Sequence, residues 1–316
     1  MEHGLVVMRR MKSVMSVYTG KRSISWEKTV EKMTPYLLVL PALVSLFIFT
    51  LLPLIMTLLL SATNWNLISD GFDWIAFENY KRLMSEHDFW NVVKNTFVFS
   101  FFSVGFTLIF AILSAVLLDK KIMGVRFFRS FMFLPYITPM VAISTVWIWM
   151  FDQHFGLINW VLGLFRIGPA PWLTKPGWAI TALIIMKIWK VLGYYTIMLL
   201  AGMQNIPDHL YEAARIDGAG EGFIFRKITL PLLSPYILFV MIVAIIASFQ
   251  DFDQIFMMTR GGPANSTNMI IYYLYQFGFN FFEVGYACSV AVILFTVLFL
   301  ITWFQMYISK KWVNYL

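Results

Sequence analysis

Long apolar stretches separated by short polar segments dominate the chain. A helix needs about 20 predominantly apolar residues to cross the hydrocarbon core of a bilayer. The stretches that reach this length are roughly 36–61, 95–118, 127–150, 178–203, 232–250 and 285–308. Prolines in the first and third of them are compatible with kinked helices in a bundle: Pro41, Pro53, Pro135 and Pro139. The pattern therefore predicts an all-α membrane protein of about six transmembrane helices.

The composition agrees with a membrane protein. Hydrophobic residues make up 59% of the 316 residues and charged residues only 13%, against about 45–50% and about 25% in soluble domains. Mean hydropathy is +0.73. Such a chain has too little polar surface to fold in water alone, so lipid must be part of its solvent. The first apolar stretch exceeds a signal-peptide core in length, and we expect it to remain as a helix.

Positive charges are shared unequally between the two sides of the predicted bundle. Of the 24 lysines and arginines, sixteen flank one side and six the other, while Lys187 and Lys190 lie inside the fourth stretch. Lysine and arginine concentrate on the cytoplasmic side of membrane proteins, so both termini are predicted to be cytoplasmic. Residues 1–34 are predicted to form a basic cytoplasmic tail, and residues 35–316 the six-helix domain. The net charge of +7 is spread along membrane-flanking loops, which argues against a nucleic-acid partner.

Several chemistries lack their motifs in this sequence. No G-x-x-x-x-G-K-[ST] occurs, so the chain has no phosphate-binding loop of that type with which to hydrolyse ATP. Its four histidines lie in the tail or loops, and no Cys/His cluster has zinc spacing. The single cysteine, Cys288, predicts no disulfide. We expect a chain that is not an enzyme and holds no metal or cofactor of its own.

The loop over about residues 204–231 differs from every other loop. Pro207 is typical of a first helical turn, and Gly218 is typical of the residue that follows a helix. A helix of about ten residues between them is too short to span a membrane. Its small and apolar residues provide a surface suited to docking: Leu210, Ala213, Ala214 and Ile216. From composition alone, a helix that rests on its own bundle is an equally good interpretation.

This loop resembles the EAA loop of binding-protein-dependent ABC import permeases. The resemblance rests on the run Glu212–Ala219, which reads EAARIDGA, and on Phe225, Ile228, Leu230 and Pro231. Shorter matches in the same order along residues 36–308 resemble the first permease type of the carbohydrate-uptake (maltose-type) branch. They include Pro41-Ala42, Phe77–Tyr80, Phe89-Trp90, Asn95-Thr96, Leu134-Pro135, Pro139, Trp147, Gly156–Asn159, Phe252-Asp253, Thr259–Pro263 and Gly285–Ala287.

The resemblance implies a type I ABC importer fold and a division of labour among subunits. Two permease subunits enclose a path, two ATP-binding-cassette subunits bind ATP and magnesium, and an extracytoplasmic solute-binding protein delivers the substrate. The loop helix then seats in a groove of the ATPase through Glu212, Ala213, Ala214, Asp217, Gly218 and Ala219. The expected location is the cytoplasmic (inner) membrane of a bacterium or archaeon.

Two further groups of residues are candidate sites. Gly261, Gly262 and Pro263 form an outer turn that is a candidate contact for the binding protein, although turn chemistry alone also accounts for them. Polar residues within or beside the spans are candidates for the substrate path, because polar groups in a membrane are costly. They are Asn95, Lys187, Lys190, Gln250 and Asp253. Lysines that line a cavity favour an anionic sugar, such as a uronate or sugar phosphate; the alternative is that they pair with acids or snorkel.

Three classes of function compete at this point. The resemblance favours a permease subunit that moves a carbohydrate, an oligosaccharide above all, or else another small solute. A secondary transporter or channel needs an intramembrane carboxylate or a pore-lining series, and the spans contain almost none. A scaffold or sensor subunit needs no ATPase. Copurification with an ATPase, lost when the 204–231 loop is altered, separates the three.

Overall fold

The computed structural model describes residues 32–69, 71–119 and 124–314. In those residues helices predominate, and an isolated antiparallel bridge pairs Thr63 with Trp74. The helices, labelled in chain order, are α1 Lys32–Leu60, α2 Glu78–Ser85, α3 His87–Asp119, α4 Val125–Ile137, α5 Met140–Met150, α6 Leu157–Leu164, α7 Pro176–Met203, α8 Asp208–Ile216, α9 Glu221–Ile224, α10 Leu230–Phe249, α11 Asp253–Met258, α12 Ile270–Tyr275 and α13 Val284–Ser309. The predicted tail over 1–34 lies outside the described residues, apart from residues 32–34.

The predicted all-α bundle is confirmed. Among the described residues, α1, α3, α7, α13 and the segment Glu221–Met258 that contains α10 are long and apolar enough to cross a membrane. α4 and α5 together provide a sixth candidate. α3 begins at His87, well before the predicted position 95. Polar and charged residues are interspersed in its first two turns, so hydropathy does not detect them. Asp88 nevertheless favours a helix start there by its charge at the positive end of the helix dipole.

The third predicted span is not a single kinked helix. α4 and α5 meet at 97°, so the prediction of one helix over 127–150 is wrong. Thr138 is extended, with ψ 136°, as the ring of a following proline favours. Pro139 has no N–H, so the carbonyl of Pro135 loses its helical partner. These two effects fall on the same turn and break the segment.

The chain divides into two compact units, Met1–Leu59 and Leu60–Leu316. In the first unit a π-helical turn, Phe47–Leu51, precedes Pro53. Proline cannot donate to the carbonyl four residues earlier, and a π-turn absorbs the missing hydrogen bond. The predicted kink at Pro53 therefore takes the form of a locally widened helix.

In the second unit, α7 is the central helix. It packs along α3 and α4, and α10 packs against both α3 and α7. Gly193 of α7 permits the close approach to α4, because a Cβ at this position would overlap the carbonyl oxygen of Met132. Tyr136 and Tyr194 stack beside this crossing, with ring centroids 4.1 Å apart. α7 thus holds α4 directly next to the break between α4 and α5.

A polar cluster joins α2, α12 and the start of α13 on the predicted outer side. The hydroxyls of Tyr286 and Tyr273 donate to Glu86 at 2.5 and 2.7 Å, and Arg82 donates to it at 2.9 Å. Burial raises the pKa of Glu86, but these hydrogen bonds and the charge of Arg82 outweigh it and lower the pKa below its usual range. The cluster fixes the outer ends of helices that are distant in sequence.

Candidate functional site

No residue of α8 is buried. Pro207 is the N-cap of this helix, one position earlier than the first-turn place that the sequence predicts for it. Asp208 in the first turn complements the positive end of the helix dipole. Apolar side chains normally turn away from water, yet Ile216 exposes 86% of its surface. This side chain is therefore available for contact with a partner.

α8 ends in a Schellman motif. Gly218 has φ +78°, in the left-handed region that glycine adopts without a steric penalty. Its N–H donates to the carbonyl of Arg215 at 3.1 Å, and the N–H of Ala219 donates to the carbonyl of Ala214 at 2.9 Å. Both bonds satisfy carbonyls that the helix leaves open. The helix therefore stops where the sequence predicts, and for the predicted reason.

The residues predicted to meet an ATPase lie together on α8 and its C-terminal cap. Glu212, Ala213, Asp217 and Gly218 are exposed, and Ala214 and Ala219 are half-buried. Ile216, which the sequence gives only as part of an apolar surface, is the most exposed large apolar residue of the loop. Arg215 pairs with Glu221 at 3.2 Å, with both side chains in solvent. An acid, two small residues and a protruding isoleucine form a surface suited to a complementary groove.

The loop is anchored at both ends of α8. Asn205 donates to the hydroxyl of Tyr236 in α10 at 2.8 Å, and Gly202 of α7 lies against the same tyrosine ring. Beyond α8, Thr229 donates to the hydroxyl of Tyr211 at 3.3 Å. These contacts hold α8 next to α7 and α10.

Inside the bundle, Lys187 of α7 pairs with Asp251, which follows α10. Nζ and Oδ2 are 2.8 Å apart, and the side chains are 13% and 8% exposed. This is the pairing that the sequence leaves as the alternative to a cavity-lining lysine. Asp251 was missed as a partner; its only signal was a carboxylate at the end of an apolar stretch. The pair avoids the cost of an isolated charge within the membrane.

A small cavity of about 10 Å³ borders Lys187 between α3, α7 and α10. Hydroxyl groups form much of its lining: Ser103, Thr107, Tyr195 and Ser248. Ser248 also lies 2.5 Å from the hydroxyl of Ser100. In this conformation the space is too small for a sugar ring, since about one water-sized probe fills such a volume.

Lys190 has different partners, one helical turn from Lys187. Its Nζ donates to the carbonyl of Pro135 at 2.8 Å, to that of Tyr136 at 3.1 Å and to that of Thr138. These carbonyls lie at the C-terminal end of α4, where a cation is also favoured by the helix dipole. The ammonium thus replaces the N–H that Pro139 lacks and stabilises the break.

The other three predicted path residues have separate surroundings. Asn95 of α3 donates to the carbonyls of Asn265 and Asn268 at 2.9 and 3.2 Å. It therefore holds the outer turn that contains Gly261, Gly262 and Pro263. Gln250 is exposed at the end of α10. Asp253 is exposed in the first turn of α11. None of these three forms a salt bridge with Lys187.

The predicted outer turn is closed by its own hydrogen bonds. Gly261 is buried, with φ +81°, and Gly262 and Pro263 are only half-exposed. Thr267 donates to the carbonyl of Gly262 at 2.6 Å. The exposed tip is instead Ala264 and Asn265. The two glycines therefore shape the turn. A contact at its tip would involve Ala264 and Asn265, which the sequence pattern does not single out.

A multi-pass helical bundle with a short exposed helix on one of its loops is the architecture expected of a membrane transport permease. Residues 107–314 match the family described as "Binding-protein-dependent transport system inner membrane component". The chain belongs to this family of ABC transporter permeases, whose members transport solutes and are not enzymes.

Curated relatives match nearly the whole chain. The trehalose/maltose transport system permease protein MalF of Thermococcus litoralis is 32% identical over 83% of this chain and 88% of its own length. The lactose transport system permease protein LacF of Rhizobium radiobacter is 34% identical over 87% and 94%. The sulfoquinovosyl glycerol transport system permease protein SmoG of Agrobacterium fabrum is 31% identical over 88% and 90%.

The fold also matches a solved transporter. A chain of a bacterial ABC transporter involved in the import of the acidic polysaccharide alginate has a TM-score of 0.79 and 23% sequence identity. The match covers 91% of this chain and 99% of that one. At this level of identity the likeness establishes the fold, and it confirms the predicted type I permease bundle.

Proposed function

We propose that this chain is one of two permease subunits of an ATP-driven importer that moves an oligosaccharide delivered by a solute-binding protein. The observation that carries the proposal is α8, a capped and exposed helix anchored to two spanning helices. A secondary transporter or channel has no use for such a docking surface. ATP and magnesium are bound by two separate ATPase subunits, which α8 contacts through Glu212 and Ile216.

The substrate class is inferred from the relatives. Their names give trehalose/maltose, lactose and sulfoquinovosyl glycerol as cargo. Because relatives that share this fold are named for different sugars, a carbohydrate is favoured over an amino acid or a metal ion as the cargo of this chain. The alginate importer was also solved in complex with an alginate pentasaccharide-bound periplasmic protein, which supports delivery by a binding protein.

An anionic sugar is the second candidate substrate. It is favoured by the two lysines near mid-membrane, but Lys187 already has Asp251 as its counter-ion and Lys190 has three carbonyls. An acidic sugar would have to displace Asp251 from Lys187 in order to gain a charge partner. The paired geometry therefore favours a neutral oligosaccharide as the cargo.

Reconstitution of the complete importer tests the proposal. We expect ATP inside the liposomes and the binding protein outside to be required together for uptake of at least one of maltotriose, lactose and diacetylchitobiose. A non-hydrolysable ATP analogue serves as the control and should give no uptake. Uptake driven by an ion gradient without ATP would identify a secondary transporter. Uptake confined to amino acids would retain the importer and reject its carbohydrate cargo.

The orientation is tested by labelling single cysteines. In a Cys288→Ala background, Phe165→Cys and Asp217→Cys place a thiol on two exposed sites on opposite predicted sides. A membrane-impermeant maleimide is expected to label Phe165→Cys in intact cells and Asp217→Cys only after permeabilisation, because positive charge concentrates on the cytoplasmic side. The reverse pattern would place α8 outside and rule out contact with a cytoplasmic ATPase.

A further inference from the structure

The loop between α5 and α7 carries a second concave site, distinct from the ion pair of Lys187. It is a cleft of about 490 Å³, within the about 300–1,000 Å³ typical of small-molecule sites. Its walls are the rings of Trp149, Phe155 and Trp160, and Gln153 and His154 supply polar edges. The relatives and the family description assign no role to this loop.

The loop that forms the cleft is rigid because a single buried amide organises it. The side chain of Asn159 donates to the carbonyls of Gln153 and Ala170 at 3.1 and 3.0 Å. It accepts from the N–H of Ala170 at 3.0 Å and from the indole of Trp172 at 2.9 Å. A network in which every polar group is satisfied fixes its surroundings, so the cleft is formed before any ligand arrives.

A second device fixes the rim of the cleft. Asp152 accepts from the N–H groups of Phe155 and His154 at 2.8 and 2.9 Å, and these bonds lower its pKa. Gly156 follows at a point where a Cβ would overlap the carbonyl oxygen of Asp152. The backbone that carries Phe155 is therefore held in one turn, with the ring projecting from the protein surface.

The aromatic residues of this region fall into two groups. Trp147, Phe151 and Trp172 are buried, with successive ring centroids 5.1 Å apart, and they form part of the core. Phe155 and Trp160 are 84% and 62% exposed, and Trp149 is exposed as well. The exposed rings lie outside this core and line the polar-edged cleft instead.

We propose that this cleft binds one sugar ring of the carbohydrate on its way into the importer. The faces of a pyranose carry C–H groups that pack on aromatic rings, and its hydroxyls bond to amide and imidazole groups such as those of Gln153 and His154. A lipid headgroup would favour a flat aromatic belt and a basic side chain, and the cleft lining includes neither lysine nor arginine. The proposal rests on the proposed carbohydrate function and on the predicted outward orientation of this loop.

Direct binding measurements test the cleft. The complete importer without its binding protein is placed in nanodiscs and probed by saturation-transfer NMR with maltotriose, lactose and diacetylchitobiose. The wild type should transfer saturation to ring C–H protons of at least one probe. The double variant Phe155→Ala/Trp160→Ala should bind that probe about tenfold or more weakly, since two ring contacts are lost. The matched control, Phe165→Ala, removes an exposed ring outside the cleft and should leave binding unchanged.

Uptake and binding-protein affinity separate the cleft from other roles. We expect the double variant to import the sugar more slowly while its affinity for the binding protein stays normal, and Trp160→Tyr to retain uptake.

Unchanged saturation transfer in the double variant overturns the proposal, and so does lost affinity for the binding protein, which would make the cleft a protein-docking surface. If the double variant fails to insert, Phe155→Ser takes its place. Phe155 is exposed, so this substitution leaves no cavity, and it should weaken binding of the same probe. A wild type that imports amino acids but no sugar would reject the proposed cargo and this ligand together; sugar import without any effect of the variants rejects the cleft alone.

Discussion

Glu212→Lys is expected to abolish ATP-driven uptake while the permease still inserts in normal amounts. Glu212 is exposed in α8, and no intramolecular ion pair depends on it among the described residues. Reversal of its charge therefore costs the isolated chain little, but it places a cation against a groove that accepts an acid. Loss of a buried charge contact at an interface costs about 2–5 kcal/mol, which corresponds to a fall in ATPase affinity of more than about tenfold.

The matched control is Glu221→Lys. Glu221 lies in the same loop but outside α8, and its ion pair with Arg215 is exposed, so its loss costs at most about 1 kcal/mol. The measurements are sugar uptake by vesicles and copurification of the ATPase with the permease. Normal uptake in Glu212→Lys, or equal loss in both variants, would contradict a specific docking role for α8.

A glycine pair tests the cap of α8 independently of charge. Gly218→Ala forces a side chain into the left-handed region at φ +78°, at a cost of about 1–2 kcal/mol. Gly220→Ala makes the same chemical change at φ −74°, where an L-residue is unstrained, and open space surrounds both positions. We therefore expect Gly218→Ala to weaken coupling and Gly220→Ala to leave it intact.

The spans and α8 could be predicted from sequence because their causes are local. Hydropathy over about 20 residues defines a spanning helix. A proline before α8 and a glycine after it define the ends of a short helix. The break between α4 and α5 was missed because prolines in membrane helices are usually absorbed as kinks. Here Thr138 is forced out of the helical region by Pro139, and the freed carbonyls find the ammonium of Lys190.

The polar contacts could not be predicted because they join residues distant in sequence. Lys187 and Asp251 are 64 positions apart, and the sequence around either residue gives no indication of the other. The same holds for Asn95, a predicted path residue that instead holds the turn at Asn265. Composition identifies a polar residue in a membrane as costly, but only the fold shows which partner offsets that cost.

Lys187→Met is expected to destabilise the protein by about 3–5 kcal/mol, because it leaves the buried carboxylate of Asp251 without its partner. Adding Asp251→Asn removes that uncompensated charge and should recover most of the loss. Lys190→Met is the matched control, since it removes the same charge one turn away. It leaves the carbonyls of Pro135 and Tyr136 without their donor, at about 1–3 kcal/mol each. Asp251→Asn should not rescue that variant, because Asp251 is not its partner.

The same four variants decide whether substrate charge matters to Lys187. The measurements are the thermal unfolding midpoint of the solubilised complex and the uptake of a neutral and an acidic oligosaccharide. If the ion pair is structural, stability follows the pairing and the ratio of the two uptake rates stays constant in Lys187→Met/Asp251→Asn. If the lysine instead exchanges Asp251 for an acid on the substrate, stability recovers in the double variant but uptake of the acidic sugar falls selectively. We expect the constant ratio, because the 2.8 Å pair already neutralises the lysine. An acidic sugar would therefore replace one anionic partner with another and gain little net interaction energy.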